Sequence, residues 1–381
     1  MVPGVMFKTV SEACNLACDY CYYSRTKGVH GAAQAIDMNL LETFMSDYML
    51  HTRGSASLSW QGGEPLLAGL EFFEHVVQLE GQYAPNHTVI SNGIQTNGLL
   101  INDVWAEFFH TYNFLVGVSL DGPETIHDAR RVDRGGHGSF RRVMRGIDHL
   151  RRHNVDFNIL TVVHPGNVDR VDALFEFYQR AGLKWVQFIP AMNFMAQNPH
   201  HPGRYEITPE EYGGFLCRTF DHWFNDGTPS FSIRFFDNVL SRYAGLEPEQ
   251  CTLAEVCPPT LVIEQNGDVY PCDFYLSSQW RMGNIRNDRL ETLLNSPVYR
   301  RFRQLKPSLS TLCQSCQWRS ACQGGCPRNR GDDSNLMDVD YFCEAYQQFF
   351  AYAEKHLQGL GQRLRQKLVS DDPVGWTGGD T

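Results

Sequence analysis

Along the first 225 positions, short strand-like runs of apolar residues alternate with longer stripes of helical period. Residues 5–10, 55–60, 88–95, 114–119, 156–163 and 184–189 read as strands. Amphipathic segments lie between them. Within 38–50, Leu40, Leu41, Phe44, Met45, Tyr48 and Met49 recur at helical spacing and trace one apolar face. The same stripe is found over 70–79, 102–112, 140–153, 168–181 and 208–225. Asp37, Asn102, Ser139 and Thr208 stand where N-caps belong, and Pro209 suits a first helical position. Six such units in a row predict an α/β fold on a parallel sheet, as an incomplete barrel or a doubly wound sheet. Periodicity alone does not choose between the two.

The pattern breaks after about residue 230. From 230 to 343 the chain offers short strands (260–264, 268–270), loop dipeptides and most of its cysteines, the composition of a small domain held by metal rather than by a large core. A helix is expected over 344–369. The segment 370–381, with Asp371-Asp372-Pro373 and Gly378-Gly379, is expected to fray.

Composition narrows the function. The chain has 381 residues, 42% apolar and 20% charged, which is a globular balance. With Lys+Arg 33 against Asp+Glu 43, the net charge of −10 argues against a nucleic-acid partner bound by bulk electrostatics. No apolar run is long enough to span a bilayer, and the first residues lack the basic and apolar regions of a signal peptide. The expectation is a cytoplasmic protein with no membrane partner. The twelve cysteines then count as reduced thiols, more suited to metal ligation than to disulfides. They fall at 14, 18 and 21, at 217, at 251, 257 and 272, and at 313, 316, 322, 326 and 343.

Cys14-x3-Cys18-x2-Cys21 follows the first predicted strand, so three thiolates share one loop at a strand's C-terminal end, where such folds build their sites. Three ligands to a cuboidal cluster leave one iron open, as catalytic metal sites require. A zinc knuckle is the plainer alternative. This spacing resembles the signature of the radical S-adenosylmethionine (SAM) family. The resemblance implies a partial (β/α)6 TIM-like barrel and a [4Fe-4S] cluster on Cys14, Cys18 and Cys21 that chelates SAM. It also implies one-electron cleavage of SAM to a 5′-deoxyadenosyl radical. Gln61-Gly62-Gly63-Glu64-Pro65 ends the second predicted strand and is similar to the family's GGEP segment. By that resemblance Gly62, Gly63 and Glu64 meet SAM's methionyl end, glycine allowing a close approach. Gln95-Thr96-Asn97-Gly98 and Ser119-Leu120-Asp121-Gly122-Pro123 end the next two strands. Ser119 and Arg145 are assigned to SAM's polar end on the same resemblance.

The eight C-terminal cysteines can close two four-ligand sites, and spacing leaves zinc and iron–sulfur both open. Their order resembles the SPASM extension of radical SAM enzymes that modify peptides, which carries two auxiliary [4Fe-4S] clusters and makes three in all. The resemblance assigns Cys251, Cys257, Cys272 and Cys326 to one, and Cys313, Cys316, Cys322 and Cys343 to the other. Cys217 belongs to neither and reads as a small buried hydrophobe. On this reading the domains are 1–230 for the radical SAM barrel, 231–343 for SPASM, 344–369 for a C-terminal helix and 370–381 for a tail.

Within this superfamily the strings around Gln61, Ser119, Cys272 and Cys322 look most like those of the anaerobic sulfatase-maturating enzymes. The resemblance implies oxygen-independent oxidation of a Cys or Ser of an unfolded sulfatase polypeptide to Cα-formylglycine, with a flavodoxin- or ferredoxin-like electron donor. Asp273 would be the base, and Tyr23 and Gln61 would orient the peptide. Two stretches are individual: Pro327-Arg328-Asn329-Arg330 and residues 194–205, with His200, His201 and Pro202. The runner-up is a radical SAM/SPASM modifier of a ribosomal peptide, forming crosslinks or epimerising residues. Many of those carry a leader-binding domain ahead of the triplet, for which Cys14 leaves little room. A zinc scaffold gives no reason for a three-cysteine site, and the dehydrogenase and nucleotide-hydrolase motifs are missing.

Overall fold

The computed structural model describes residues 3–23, 34–193, 204–330 and 339–369. Its principal elements in chain order are β1 (Gly4–Lys8), α1 (Met38–His51), β2 (Ser55–Gln61), α2 (Leu70–Tyr83), β3 (Val89–Thr96), α3 (Asp103–Thr111) and β4 (Phe114–Ser119). Then come α4 (Phe140–Arg152), β5 (Phe157–Val163), α5 (Val171–Arg180), β6 (Trp185–Pro190), α6 (Pro209–Phe224), β7 (Ser232–Ile233) and α7 (Arg234–Tyr243). The chain closes with β8 (Thr260–Glu264), β9 (Asp268–Tyr270), β10 (Gly283–Asn284) and the long α8 (Cys343–Val369). The predicted α/β alternation is present, with boundaries shifted by a few residues.

By compactness the chain forms two units. The first comprises residues 1–160, 192–204 and 258–303. Its sheet runs β10-β9-β8-β1-β2-β3-β4-β5, with β1 to β5 parallel and in sequence order. β8 adds to β1 in parallel, Phe7 opposite Ile263, and β9 and β10 continue antiparallel. Alternation along the strands sends one set of side chains under the helices. Phe7 stacks on Trp60 at 4.6 Å and meets Phe44 edge-on at 5.8 Å, and Trp60 meets Phe73 edge-on at 5.6 Å. The strand ends are polar instead: Lys8, Gln61, Thr96 and Ser119 close β1, β2, β3 and β4.

The second unit comprises residues 161–191, 205–257 and 304–381. Within it β6 pairs in parallel with β7, and α8 packs its aromatic side on α6 and α7. Phe349 lies 5.7 Å from Phe220 and 5.3 Å from Phe236. α7 lies where the sequence reading finds only short strands and loops, although Phe235, Phe236, Val239 and Leu240 repeat at helical spacing and are buried.

Three of the four expected caps are made. Asp37, Asn102 and Thr208 accept from Leu40, Trp105 and Glu211 amides, and Thr208 completes a capping box with Pro209 at the first turn. Ser139 makes no cap. Its buried hydroxyl donates to the Arg131 carbonyl at 2.7 Å and lies 2.9 Å from His127 Nε2, so the inward network has taken the oxygen that a cap would use. The segment 370–381 and residues 194–203, with His200, His201 and Pro202, lie outside the described residues. No described helix is long and apolar enough to cross a membrane.

Candidate active site

The loop after β1 carries Cys14, Cys18 and Cys21 as half-buried thiols. Backbone bonds hold it to the end of β2: Gly63 N–H donates to Ser11 O at 2.6 Å and Glu64 N–H to Ala13 O at 2.7 Å. A Cβ on Gly63 would lie 2.0 Å from Ala13 O, and one on Gly62, at φ +135°, 2.9 Å from Ser11 O. The space these glycines leave is filled by the triplet loop itself, a different reason for glycine from the ligand approach expected above. Asn97 Nδ2 reaches Asn15 Oδ1 at 2.7 Å, and Ala17 N–H reaches Val132 O at 2.8 Å. Arg134 Nη2 donates to Cys14 O at 3.0 Å.

Glu64 is fully buried and already has three donors: Leu66 N–H at 3.0 Å, Thr96 Oγ1 at 2.8 Å and Asn97 N–H at 2.7 Å. Burial outweighs them and raises its pKa to about 7. Ser119 Oγ accepts from Gln95 Nε2 at 3.2 Å. Gln61 is half-buried opposite Lys8 in the β1–β2 register. Arg145 is exposed on α4, and two other arginines reach the triplet loop: Arg134 at the Cys14 carbonyl and Arg130 at Asp19, 2.6 Å away.

Asp273 follows β9 and meets two partners unnoticed in the sequence. Lys8, 1% exposed, forms an ion pair with it, and Tyr22 donates to its Oδ2 at 2.6 Å. Beside them Tyr23 donates to Glu264 at 2.6 Å, and the Lys8 ammonium lies 4.8 Å from the Tyr23 ring centre. Desolvation raises Glu264 to about 7 against the opposing pull of Tyr23 and Lys8. A second buried network lies behind the triplet. Arg131 grips Asp121 through Nε at 2.9 Å and Nη2 at 3.2 Å, and Tyr20 donates to the same carboxylate. Lys8 and Glu264 were hidden by position. A charged residue ending an apolar strand is the signal that finds them.

In the second unit the thiols fall into two electrostatic groups. Cys257 feels Cys326 and Cys251, with Lys306 and Arg330 nearby. Cys343 feels Cys313 and Cys316, and Cys322 feels Cys343. Burial pushes Cys257 and Cys322 up to about 12, as it does Cys18 in the triplet, where Arg131 opposes the rise. Cys272 lies in the first unit, its carbonyl bonded by Tyr275 N–H at 3.0 Å. Cys217 is half-buried on α6.

Among the described residues no three Cys, His, Asp or Glu side chains converge as ligands of a single ion do. Structural zinc draws its ligands to one point, whereas a cuboidal cluster takes one thiolate per iron and needs thiols facing a shared space. Grouped, half-buried thiols fit the cluster.

Residues 9–178 match the Radical SAM superfamily, and residues 257–317 match SPASM, an iron-sulfur cluster-binding domain. The serine-type anaerobic sulfatase-maturating enzyme of Bacteroides thetaiotaomicron is 34% identical, covering 94% of this chain and 91% of that one. The chain belongs to the anaerobic sulfatase-maturating enzyme family. It is thus a radical SAM oxidoreductase with SAM and iron–sulfur clusters as cofactors. The cysteine-type enzyme of Clostridium novyi is equally similar, 34% identical over 94% of this chain and 96% of its own. Among solved structures, native anSMEcpe with bound AdoMet and Cp18Cys peptide superposes with a TM-score of 0.88 at 33% identity, over 95% of this chain and 99% of that one. Streptococcus suis SuiB with its precursor peptide SuiA shares the fold alone, with a TM-score of 0.63 at 15% identity, over 90% and 76%.

Proposed function

We propose that this sulfatase-maturase family member oxidises a Cys or Ser side chain of an unfolded sulfatase polypeptide to Cα-formylglycine without oxygen, in the cytoplasm. Cys14, Cys18 and Cys21 would hold the SAM-binding [4Fe-4S] cluster. Gly62, Gly63, Glu64, Ser119 and Arg145 would serve SAM. Two auxiliary [4Fe-4S] clusters would take Cys251, Cys257, Cys272 and Cys326, and Cys313, Cys316, Cys322 and Cys343. The radical SAM part would be residues 1–230 and the SPASM part 231–343. When bound, these groups supply a 5′-deoxyadenosyl radical that takes a substrate Cβ hydrogen atom, and an acceptor for the second electron. A flavodoxin- or ferredoxin-like protein would deliver the first.

The chain's own part is to remove a proton. Asp273, as a carboxylate, takes it from the substrate thiol or hydroxyl. Lys8 and Tyr22 fix that carboxylate, and Tyr23 and Gln61 orient the peptide. Losing a hydrogen atom, a proton and an electron converts a Ser side chain to the aldehyde. A Cys side chain gives the thioaldehyde, which water hydrolyses with release of hydrogen sulfide.

What carries this reading is the bond from Tyr22, next to Cys21, to Asp273 at 2.6 Å in a chain of this family. Such a bond sets a carboxylate beside the triplet. The test is anaerobic incubation of reconstituted enzyme with reductant, SAM and a peptide bearing C-x-P-x-R, beside its Ser twin. Formylglycine in the peptide with one deoxyadenosine per turnover is expected. Asp273→Asn should lower product formation about 100-fold or more. Deoxyadenosine with both peptides unmodified would sink the substrate assignment. Relatives of the serine and cysteine types are equally similar, so the twin peptides decide the preference.

A further inference from the structure

Cys14 borders an open groove of 580 Å³, whose other lining includes Asn15, Leu67, Asp133, Arg134, His137 and Arg142. Its chemistry runs against the rest of the molecule. The chain carries a net charge of −10, yet residues 130–152 hold eight arginines. Arg131 is buried on Asp121, and Arg130, Arg151 and Arg152 pair with Asp19, Asp148 and Asp103, which leaves Arg134, Arg141, Arg142 and Arg145 about the groove and α4. Asp133 is occupied within the groove, pairing with Arg142 at 3.0 Å and with His137 at 3.3 Å. Arg134 and Arg145 are exposed, and Arg141 is 84% exposed and pairs with Glu124 at 2.8 Å on the surface. Leu67, 44% exposed, adds an apolar spot at the rim. An apolar contact ringed by like charges is the make-up of a transient, electrostatically steered interface.

The groove also touches the triplet. Arg134 is exposed and donates to the Cys14 carbonyl at 3.0 Å, so one hydrogen bond separates the surface from the first cysteine of the loop. Electron transfer falls off steeply with distance, and a carrier seated here would stand as near that loop as the surface allows. We propose that the groove and the adjoining arginine face of α4 form the docking surface for an acidic one-electron carrier protein. This rests on the radical SAM reading above. One electron leaves the reduced carrier, which is oxidised, and enters the cluster held by the triplet. No bond or proton changes hands in that step.

The test uses the cluster-loaded enzyme and an acidic flavodoxin, with an acidic ferredoxin as a second arm. The first readout is the affinity of labelled carrier for the enzyme by fluorescence anisotropy at low and high salt. The second is the rate of cluster reduction by the reduced carrier, with dithionite in parallel and no peptide present. Arg141→Glu, on a side chain whose replacement disturbs no core, should weaken binding and carrier-driven reduction about ten-fold at low salt, with the gap closing as salt rises. Arg134→Glu should act in the same direction. Dithionite should reduce the parent and Arg141→Glu at the same rate. Unchanged carrier affinity in Arg141→Glu would overturn the proposal, as would equal slowing with dithionite. Because no peptide enters the experiment, failure of the sulfatase assignment shows separately, as absence of formylglycine.

Discussion

Tyr22 and Asp273 lie 251 positions apart in sequence and are joined by a 2.6 Å hydrogen bond from the phenol to the carboxylate. Lys8 pairs with the same carboxylate from the end of β1. Two distant segments therefore fix one acceptor group. Tyr22→Phe loosens the group that takes the proton and should cut formylglycine production roughly ten- to hundred-fold. Its loss of stability should be smaller than that on removing Lys8, because Lys8 still pairs with the carboxylate. Lys8→Met should instead lower the unfolding free energy by about 3 kcal/mol, because it strands a largely buried carboxylate. Product formation and denaturant midpoints for the two variants separate the roles. Equal stability of Lys8→Met and the parent would mean that the ion pair contributes nothing to folding.

Gly63→Ala should abolish cluster binding. The added methyl meets Ala13 O at 2.0 Å, and that oxygen is backbone already bonded by Glu64 N–H, so it has nowhere to yield. Gly81→Ala is the matched control, since nothing lies within 4 Å of its Cβ on α2. It should stabilise the protein by about 0.5–1 kcal/mol through helix propensity. Iron content after anaerobic reconstitution reads the first effect and thermal melting the second. A full complement of iron in Gly63→Ala would show that the loop can shift.

Much of this is legible in the sequence. Period-2 runs and helical stripes locate β1 to β6 and the helices between them because those segments bury one face each. The triplet and the Gly62-Gly63-Glu64 segment announce themselves by spacing. Four things stay hidden, one of them the helices Leu290–Leu294 and Pro297–Leu305 in a region read as strands and loops. α7 is hard to read because Arg234, Asp237 and Arg242 break up its Phe235-Phe236-Val239-Leu240 stripe in a stretch otherwise marked by loop residues. Ser139 looks like a cap, but its oxygen is drawn inward by His127 and Arg131. Lys8 ends a strand, and no local rule says that its charge will meet a carboxylate contributed after β9.

Arg131 and Asp121 form a buried pair, 6% and 0% exposed, with two hydrogen bonds between them. Desolvation pushes the Asp121 carboxyl upward, yet Arg131 overcomes it and holds the group below its usual range. Arg131→Met removes the cation that grips Asp121 and should cost about 3–5 kcal/mol. The double change Arg131→Met with Asp121→Leu should recover a good part of that loss. A double-mutant cycle on urea midpoints checks it. Additive losses would show that the two side chains are not coupled.

The thiol grouping in the second unit sets a count. Cys343 is electrostatically linked to Cys313 and Cys316. If these share one cluster, Cys343→Ala and Cys313→Ala should each lose about four irons per chain, and the double variant no more than either. Cys217→Ala should lose none. Iron and sulfide analysis of proteins reconstituted side by side measures this. Independent, additive losses from the two single changes would place the cysteines on different clusters.

Glu80, on α2, supplies a pH test that touches none of the candidate ligands. It is 5% exposed and accepts two bonds from Asn92 Nδ2, at 3.0 and 3.1 Å, while Asn92 Oδ1 holds Trp60 Nε1 at 2.9 Å. Burial outweighs those bonds and raises the carboxyl to about 7. In the unfolded chain a glutamate titrates near ~4.3. Between those values the native state keeps a proton that the unfolded state has lost. Stability is therefore full below the lower value and falls as pH rises through the window, by up to about 1.4 kcal/mol per pH unit for this group. Glu64 and Glu264, raised to about 7 as well, push the same way. Glu80→Gln keeps an oxygen for Asn92 and has no proton to lose. Its melting temperature should fall less steeply between pH 5 and about 7 than that of the parent at equal cluster loading, and stand above it at pH 8. Parallel melting curves for the two proteins across that range would mean that Glu80 is already ionised in the folded state.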